Sequence, residues 1–331
     1  LGVGDTARAM AIQVDRLRLM DALTAEEICH IDLGEDFRQR FGNPYAVIHR
    51  GDLHGVFLKA CREHRMIALR TSAEVLCYEQ DGAGVTAFLA DGERLPGRAL
   101  IGADGLWSNV RKQVVGDGAP RVSGHTTYRS VIPTGHMPED LRWNAATLWA
   151  GPKCHIVHYP LQGWKAFNLV VTYHNDAPEP VAGKPAPEEE VLAGFHHVHP
   201  LAQSIIRHGR DWKLWVLCDR DPVENWVEGR VALLGDAAHP MLQYFAQGAC
   251  MAMEDAVCLA HMMEAHQGDL ETALEAYRRE RVLRTARVQL QSRAIGEHIY
   301  HPAGAHAALR NQIMAAKSQD DWYDTLGWIY G

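Results

Sequence analysis

Two segments of this chain leave few choices of fold. Each is a short apolar run that stops at a glycine and an acidic residue and then opens a helix. In Ala99-Leu-Ile-Gly-Ala-Asp-Gly-Leu-Trp-Ser-Asn-Val-Arg111 the strand ends at Asp104 and Gly105, and Ser108 is placed to cap the helix. In Arg230-Val-Ala-Leu-Leu-Gly-Asp-Ala-Ala-His-Pro240 the strand ends at Gly235 and Asp236, and Pro240 stiffens the connection. Gln247-Gly-Ala249 then opens a helix carrying Glu254 and Asp255. Glycine permits the sharp turn, and an aspartate beside it can accept hydrogen bonds from ligand hydroxyls or backbone amides. Gly248 lets a ligand approach the first free amides of its helix, whose partial positive charge suits an electron-rich or anionic ring.

With 331 residues, the chain suits one large or two interleaved domains. At 47% hydrophobic and 22% charged residues it is globular in composition. A formal charge of −8 argues against a nucleic-acid partner, which needs a basic face. Seven scattered cysteines, never spaced C-x-x-C, fit buried thiols in a reducing cytoplasm. The absence of a long apolar stretch or a basic-then-apolar leader leaves membrane span and secretion unsupported, so a cytoplasmic protein is expected. The segment Leu1 to Met10 reads as the end of a helix and a turn, as in a fragment.

Period-two alternation in Asp15–Asp21 and Glu27–Leu33 predicts a hairpin. A short strand at Tyr45–Arg50 and a helix over Gly51–Arg65 follow. Three alternating runs between Ala68 and Leu100, broken by Asp81-Gly82 and Asp91-Gly92, predict a meander with positive φ at the turns. Thr126–Ile132, Ala146–Ala150, His155–Pro160 and Ala166–Tyr173 predict a mainly antiparallel sheet, Pro178–Pro187 a loop and Glu188–His199 a helix. Helices are also expected over Gly248–Ala265 and from about Leu270 to Tyr300.

The string Gly2-Val-Gly-Asp-Thr-Ala7 formally matches a dinucleotide-binding pattern but is rejected, because that mechanism needs a strand before the glycines. The pair G-A-D-G-x-x-S-x-V-R and G-D-A-A-H-P with Q-G-A-x-M-A-x-E-D-A instead resembles the single-component, FAD-dependent aromatic hydroxylases, the class A flavoprotein monooxygenases. The likeness extends over essentially the whole chain. His49-Arg50-Gly-Asp-Leu53 is similar to the family's arginine motif, whose arginine contacts FAD. Pro222-Val-Glu-Asn-Trp226 and Trp328-Ile-Tyr-Gly331 look most like the 3-hydroxybenzoate 6-hydroxylases, with salicylate hydroxylases and 6-hydroxynicotinate 3-monooxygenases as near relatives.

The resemblance implies an α/β fold: a glutathione-reductase-like FAD-binding domain from 46–120 and 222–300, an antiparallel β substrate domain from 10–45 and 121–221, and a C-terminal tail at 301–331. The family's N-terminal βαβ unit, roughly 30 residues or more, is missing, so an N-terminally truncated chain is expected. Arg50, Asp104, Gly105, Gly235, Asp236, Pro240, Gly248 and Ala249 are implied as FAD-binding residues.

Lys153-Cys-His-Ile-Val-His-Tyr-Pro160 bears on the substrate. Strand alternation puts His155, Val157 and Tyr159 on one face and Cys154, Ile156 and His158 on the other. An imidazole and a phenol flanking an apolar spacer suit a hydroxylated aromatic acid, although a strand histidine taken alone usually packs quietly. In the 3-hydroxybenzoate hydroxylases the residues matching His155, Tyr159 and Gln243 are substrate residues. The resemblance makes His155 the base that removes the phenolic proton, a step feasible near neutrality for an imidazole of ordinary pKa about 6.5. It further implies NADH (or NADPH) as co-substrate, O₂, a flavin C4a-hydroperoxide as oxygen donor, and conversion of 3-hydroxybenzoate to gentisate. Salicylate or 6-hydroxynicotinate hydroxylation stays open, as does a catalytically silent fragment, and so does oligomeric state, a homodimer included.

Other groupings take plain readings. His196-His-Val-His199, and His155 with His158, lack the carboxylate or thiolate spacing of a metal site. Arg278, Arg279, Arg281, Arg284 and Arg287, alternating with Glu275 and Glu280, read as a solvated helix face. Met251, Met253, Met262 and Met263 read as core or flavin-adjacent filler.

Overall fold

The computed structural model describes residues 2–331, so Leu1 of the opening segment lies outside the described residues. The first elements are α1 (Gly4–Met10), β1 (Ile12–Gln13), β2 (Arg16–Asp21), β3 (Glu27–Asp32), α2 (Glu35–Phe41), β4 (Ala46–Val47) and α3 (Arg50–Glu63). There follow β5 (Val75–Gln80), β6 (Val85–Leu89), β7 (Arg94–Gly97), β8 (Leu100–Gly102) and α4 (Asn109–Val114). Then come β9 (Arg121–Pro133), β10 (Ala145–Gly151), β11 (Cys154–Leu161), β12 (Ala166–His174), β13 (Ala182–Pro185), α5 (Glu188–Ala193), α6 (Pro200–His208) and β14 (Lys213–Asp219). The chain closes with β15 (Val227–Glu228), β16 (Val231–Leu233), α7 (Gly248–Ala265), α8 (Leu270–Ile295), a π-helical turn at Gly296–Tyr300, α9 (Gly304–Ala315) and α10 (Gln319–Tyr330).

The chain divides into two units, residues 2–68, 124–216 and 296–331 in the first, and 69–123 and 217–295 in the second. Residues 46–68, which the sequence places with the FAD-binding segments, group with the first unit, where β4 pairs with β1. Residues 301–331, set apart above as a tail, form α9 and α10. They put Trp322 and Tyr323 into a core with Ile12, Val14 and Phe37.

The first unit is built on an eight-stranded sheet ordered β13-β14-β9-β12-β11-β10-β2-β3. The β2/β3 hairpin forms as its alternation predicts, with Leu17 opposite Ile31 and Leu19 opposite Cys29. The sheet is mixed rather than antiparallel throughout: β10 runs parallel to β2, aligning Ala150 with Asp21. A period-two pattern fixes which face a residue takes and carries no information on strand direction. One face buries Trp149, Ile156, Phe167, Leu169 and Val171 against Val191, Phe195, Ile205 and Ile206 of the helical segment. That segment is two helices, not one. Of the helix expected over Glu188–His199, α5 ends at Ala193 before Gly194, where a Cβ would lie 2.5 Å from the Tyr173 ring, and Pro200 starts α6 beyond the expected range with His199 as cap. Within the expected loop 178–187, β13 adds a short edge strand, its register shifted between Ala182 and Lys184.

In the second unit β5, β6 and β7 make the expected meander. Gly92 turns with φ +88°, but Gly82 does not take a positive φ. Asp81 closes that turn instead, its carboxylate accepting from the amides of Ala83 and Gly84. A second sheet, β15-β16-β8, pairs β16 parallel with β8, Val231 opposite Leu100 and Leu233 opposite Gly102. A Cβ on Gly102 would meet Val110 at 2.8 Å and Leu233 at 2.9 Å, so glycine lets α4 close onto both strands.

Candidate active site

Because β8 and β16 run parallel in register, the loops bearing Asp104 and Asp236 leave the sheet at the same end, where ligands of open α/β sheets bind. Gly235 turns with φ +62°, and a Cβ on it would lie 3.1 Å from Ala252 Cβ, so the loop lies directly on α7. Asp236 is exposed, with no hydrogen bond or ion pair among the described residues. Its Oδ1 would lie 3.7 Å from a Cβ built on Gly248, the first residue of α7. An uncommitted carboxylate beside free helix-start amides and a bare glycine is a donor and acceptor set for a ligand with hydroxyl groups and an electron-rich or anionic ring. FAD fits this set. Asp236, Gly235, Gly248 and Ala249 are the residues that could hold it.

Asp104 is occupied differently. Its Oδ1 accepts from Ser108 Oγ at 2.5 Å, and its Oδ2 accepts from the Asn109 amide at 2.8 Å and the Val110 amide at 3.3 Å. Ser108 in turn accepts from the Arg111 amide at 2.8 Å, the cap expected of it. The carboxylate therefore orders the start of α4, and Gly105, at φ +78°, offers backbone to a ligand.

Two buried ion networks hold this end of the sheet. Asp255 Oδ2 accepts from the Gly235 amide at 3.0 Å and faces His239 Nε2 at 2.6 Å, while its Oδ1 accepts from Arg281 Nε at 2.7 Å. Burial works to raise the Asp255 carboxyl pKa, but these bonds outweigh it and hold the carboxyl below its usual range. Arg281 also donates to Glu254, as does Arg284, so these two arginines are ion-paired partners of α7 rather than part of a solvated face. Arg278 and Arg279 pair with Glu275 as a surface row would. In the second network, buried Arg111 donates to the carbonyls of Ala237 (2.9 Å) and Ala238 (2.6 Å) and grips Asp117 with Nε and Nη2. This single guanidinium joins the loop after β16 to the helix after β8. Gln289, buried on α8, donates to the Pro240 carbonyl at 3.1 Å.

In the first unit the two faces of β11 separate as the alternation predicts. Cys154 and Ile156 enter the core, and His158 lies among Trp143, Trp149 and Phe167. His155, only 1% exposed, faces the other way with Tyr159. Its Nδ1 is 2.8 Å from His301 Nε2, and Tyr300 packs edge-on against its ring at 4.8 Å. Burial, then the neighbouring His301 and His125, push the His155 pKa well below its ordinary value, so its imidazole is neutral in the folded chain. Register puts Arg129 on the same face, through Val170 and Val157. Burial lowers its pKa, and the nearby charge of Arg50, itself exposed at the start of α3, acts in the same direction.

The second unit thus gathers Asp104, Gly105, Gly235, Asp236, Pro240, Gly248 and Ala249 at one sheet end, with Gln243 in the turn just before α7. The first unit gathers His155 and Tyr159 on one face, with Arg50 within electrostatic reach of Arg129. Sequence reading missed Arg129, His301 and the structural weight of Arg111. A lone guanidinium inside the strand Thr126–Ile132 was the available signal for the first. Nothing local marked His301, which reaches His155 from outside the sheet.

The model of the family described as FAD binding domain matches residues 1–292. The 3-hydroxybenzoate 6-hydroxylase 1 of Aquipseudomonas alcaligenes is 54% identical over 331 residues, all of this chain and 84% of that protein. The 3-hydroxybenzoate 6-hydroxylase of Polaromonas naphthalenivorans (strain CJ2) is 46% identical, again over the whole chain and 82% of its own length. Klebsiella pneumoniae HpxO, solved with FAD and uric acid, shares the fold at a TM-score of 0.86 and 23% identity, covering 100% of this chain and 84% of that one. The chain belongs to the FAD-binding family and is a flavin-dependent monooxygenase. No described helix is long and apolar enough to cross a membrane.

Proposed function

We propose that this protein hydroxylates 3-hydroxybenzoate at C6 to give gentisate, consuming NADH, a proton and O₂ and releasing NAD⁺ and water. The observation that carries the reading is buried, neutral His155 on one strand face with Tyr159, its Nδ1 held by His301, in a chain 54% identical to an enzyme of that name. FAD, when bound, supplies the electrons taken from NADH and the activation of oxygen.

The chain's own residues prepare the ring. In the tautomer whose Nδ1 donates to His301, His155 Nε2 carries the lone pair that takes the phenolic proton. The phenolate then feeds electron density into the carbons ortho and para to it, and C6 is the para carbon. Tyr159 and Gln243 are assigned to the ring substituents, Arg129 supplies positive charge for the carboxylate, and Arg50 stays with the cofactor. Asp236, Gly235, Gly248 and Ala249, with Gly105 and Pro240, hold the cofactor. The seven cysteines, none of them in a disulfide, support a reducing, cytoplasmic setting.

The test is NADH oxidation by the FAD-loaded protein, with gentisate measured alongside. Stimulation by 3-hydroxybenzoate with matching gentisate is expected, and stimulation by salicylate alone overturns the substrate assignment. His155→Asn should lower hydroxylation about 10²- to 10⁴-fold at unchanged FAD content. Equal loss of both would make His155 a packing residue.

A further inference from the structure

His155 is one end of a row of imidazoles. Its Nδ1 meets His301 Nε2 at 2.8 Å. The His301 ring lies 5.2 Å from His125, and His125 lies 4.2 Å from His174. His174 Nε2 then meets Asp176 Oδ1 at 3.2 Å, and the Asp176 side chain is 83% exposed. The row runs from a side chain closed to solvent to a carboxylate open to it.

The sheet builds this row by register. His155 pairs with Thr172, and Thr172 pairs with Thr127. His174 and His125 lie two residues from those threonines and pair with each other, which puts all of them on the face that carries His155. One turn fixes the rest. Lys153, in the left-handed region at φ 56°, donates its amide to the His301 carbonyl at 3.1 Å and accepts from the His174 amide at 2.8 Å. Gly124, at φ +77°, faces the outer end: a Cβ there would lie 3.2 Å from His174 Nε2 and 3.3 Å from Asp176 Cα. The absence of a side chain leaves the His174 ring room beside Asp176.

We propose that His301, His125 and His174 form a proton relay that carries the substrate's phenolic proton from His155 to Asp176 and solvent. The inference rests on the reading of His155 as the base. The phenol O–H bond breaks as the His155 Nε2–H bond forms, and the Nδ1 proton of His155 passes to His301 Nε2. One proton then moves through His125 to His174 and leaves at Asp176, so His155 is neutral again, with Nε2 protonated and Nδ1 bare until its ring resets. Each ring has one nitrogen to receive and one to donate, as a relay requires. The His125 ring centroid stands 5.2 Å from that of His301 and 4.2 Å from that of His174, so rotation of that ring, or one bridging water, completes each transfer. Burial, with the charges of His125 and His174, brings His301 down to about 3, so it passes a proton on rather than keeping it. Among the described residues no cluster of three or more His, Cys, Asp or Glu is arranged to hold a metal ion, so metal storage does not compete as a role for these rings.

The experiment mixes the FAD-loaded protein with 3-hydroxybenzoate in weak buffer, without NADH. Ionisation of the bound phenol is followed by its ultraviolet difference spectrum, and the released proton by a pH indicator. In the unaltered protein the two signals should rise together. In His125→Gln and His174→Gln the phenolate should form to the same extent while proton release lags at least tenfold, and millimolar imidazole should restore the rate. His301→Gln should slow both signals. A purely packing role would alter stability or affinity without a lag that imidazole repairs. If His155→Asn abolishes phenolate formation while all three glutamine variants release protons at the original rate, the relay is wrong and the base assignment stands. If phenolate forms normally in His155→Asn, both are wrong.

Discussion

Arg281 Nε lies 2.7 Å from Asp255 Oδ1, and both side chains are buried. The other oxygen of the same carboxylate accepts the Gly235 amide and faces His239 Nε2. A helix carboxylate far along the chain thus holds the loop that presents Asp236.

Replacing Asp255 with Asn should therefore cost more than a surface ion pair. The amide group would turn donors toward donors and leave the Arg281 charge uncompensated in the interior. A loss of about 3–5 kcal/mol is expected, measured by urea unfolding. FAD content should fall in parallel, and a stable variant that had lost its flavin would contradict this account.

Gly235 and Gly248 should separate folding from cofactor binding. Gly235→Ala must hold φ +62° and press on Ala252, so destabilisation of about 1–2 kcal/mol or more is expected. A Cβ on Gly248 meets only Asp236 and Met241, at 3.7 and 3.9 Å. Gly248→Ala should keep its melting temperature and weaken FAD binding about tenfold, worth about 1.4 kcal/mol. Titration of the apoprotein with FAD reads both.

His158 should set part of the acid limit of stability. Both its ring nitrogens are buried without partners, and burial, then the charge of Arg18, brings its pKa down to about 3. Its value in the unfolded chain is about 6.5, so below that pH the unfolded state takes up a proton that the folded state refuses. Stability from this residue is complete above about pH 6.5 and falls as pH drops toward 3, by up to about 1.4 kcal/mol per pH unit. His158→Leu should flatten that limb and be no less stable at pH 7, since it removes two unpaired polar atoms. Urea midpoints across pH 4–8 decide it, and identical slopes in both proteins would refute it.

Arg129→Met should raise KM for 3-hydroxybenzoate at least tenfold while changing KM for 3-hydroxybenzyl alcohol little, because only the acid has a carboxylate to lose its partner charge. Equal changes for both would place Arg129 in packing alone.

Motif reading recovered the strand ends, turns and helix starts around Gly105, Gly235 and Gly248 well, because their constraints are local: a strand end, a glycine with a special φ, a helix start. Gly248–Ala265 was bounded by sequence as it stands in the structure. What local pattern could not show was pairing across long separations. The parallel β10/β2 contact, the burial of Arg281 and the placement of Trp322 in a core all depend on partners far along the chain. The candidate substrate face was half legible: alternation gave His155 and Tyr159 a common side, but His301 comes from beyond α8.

The three-residue match of β8 with β16 joins Leu100 to Val231, and Arg111 bolts the two loops together only once residues 237 and 238 exist. On the ribosome, this end of the sheet thus cannot assemble until residue 238 has emerged. Closure over so long a loop is slow by comparison with a hairpin. Any ligand that needs both loops at once can therefore be captured only late in synthesis.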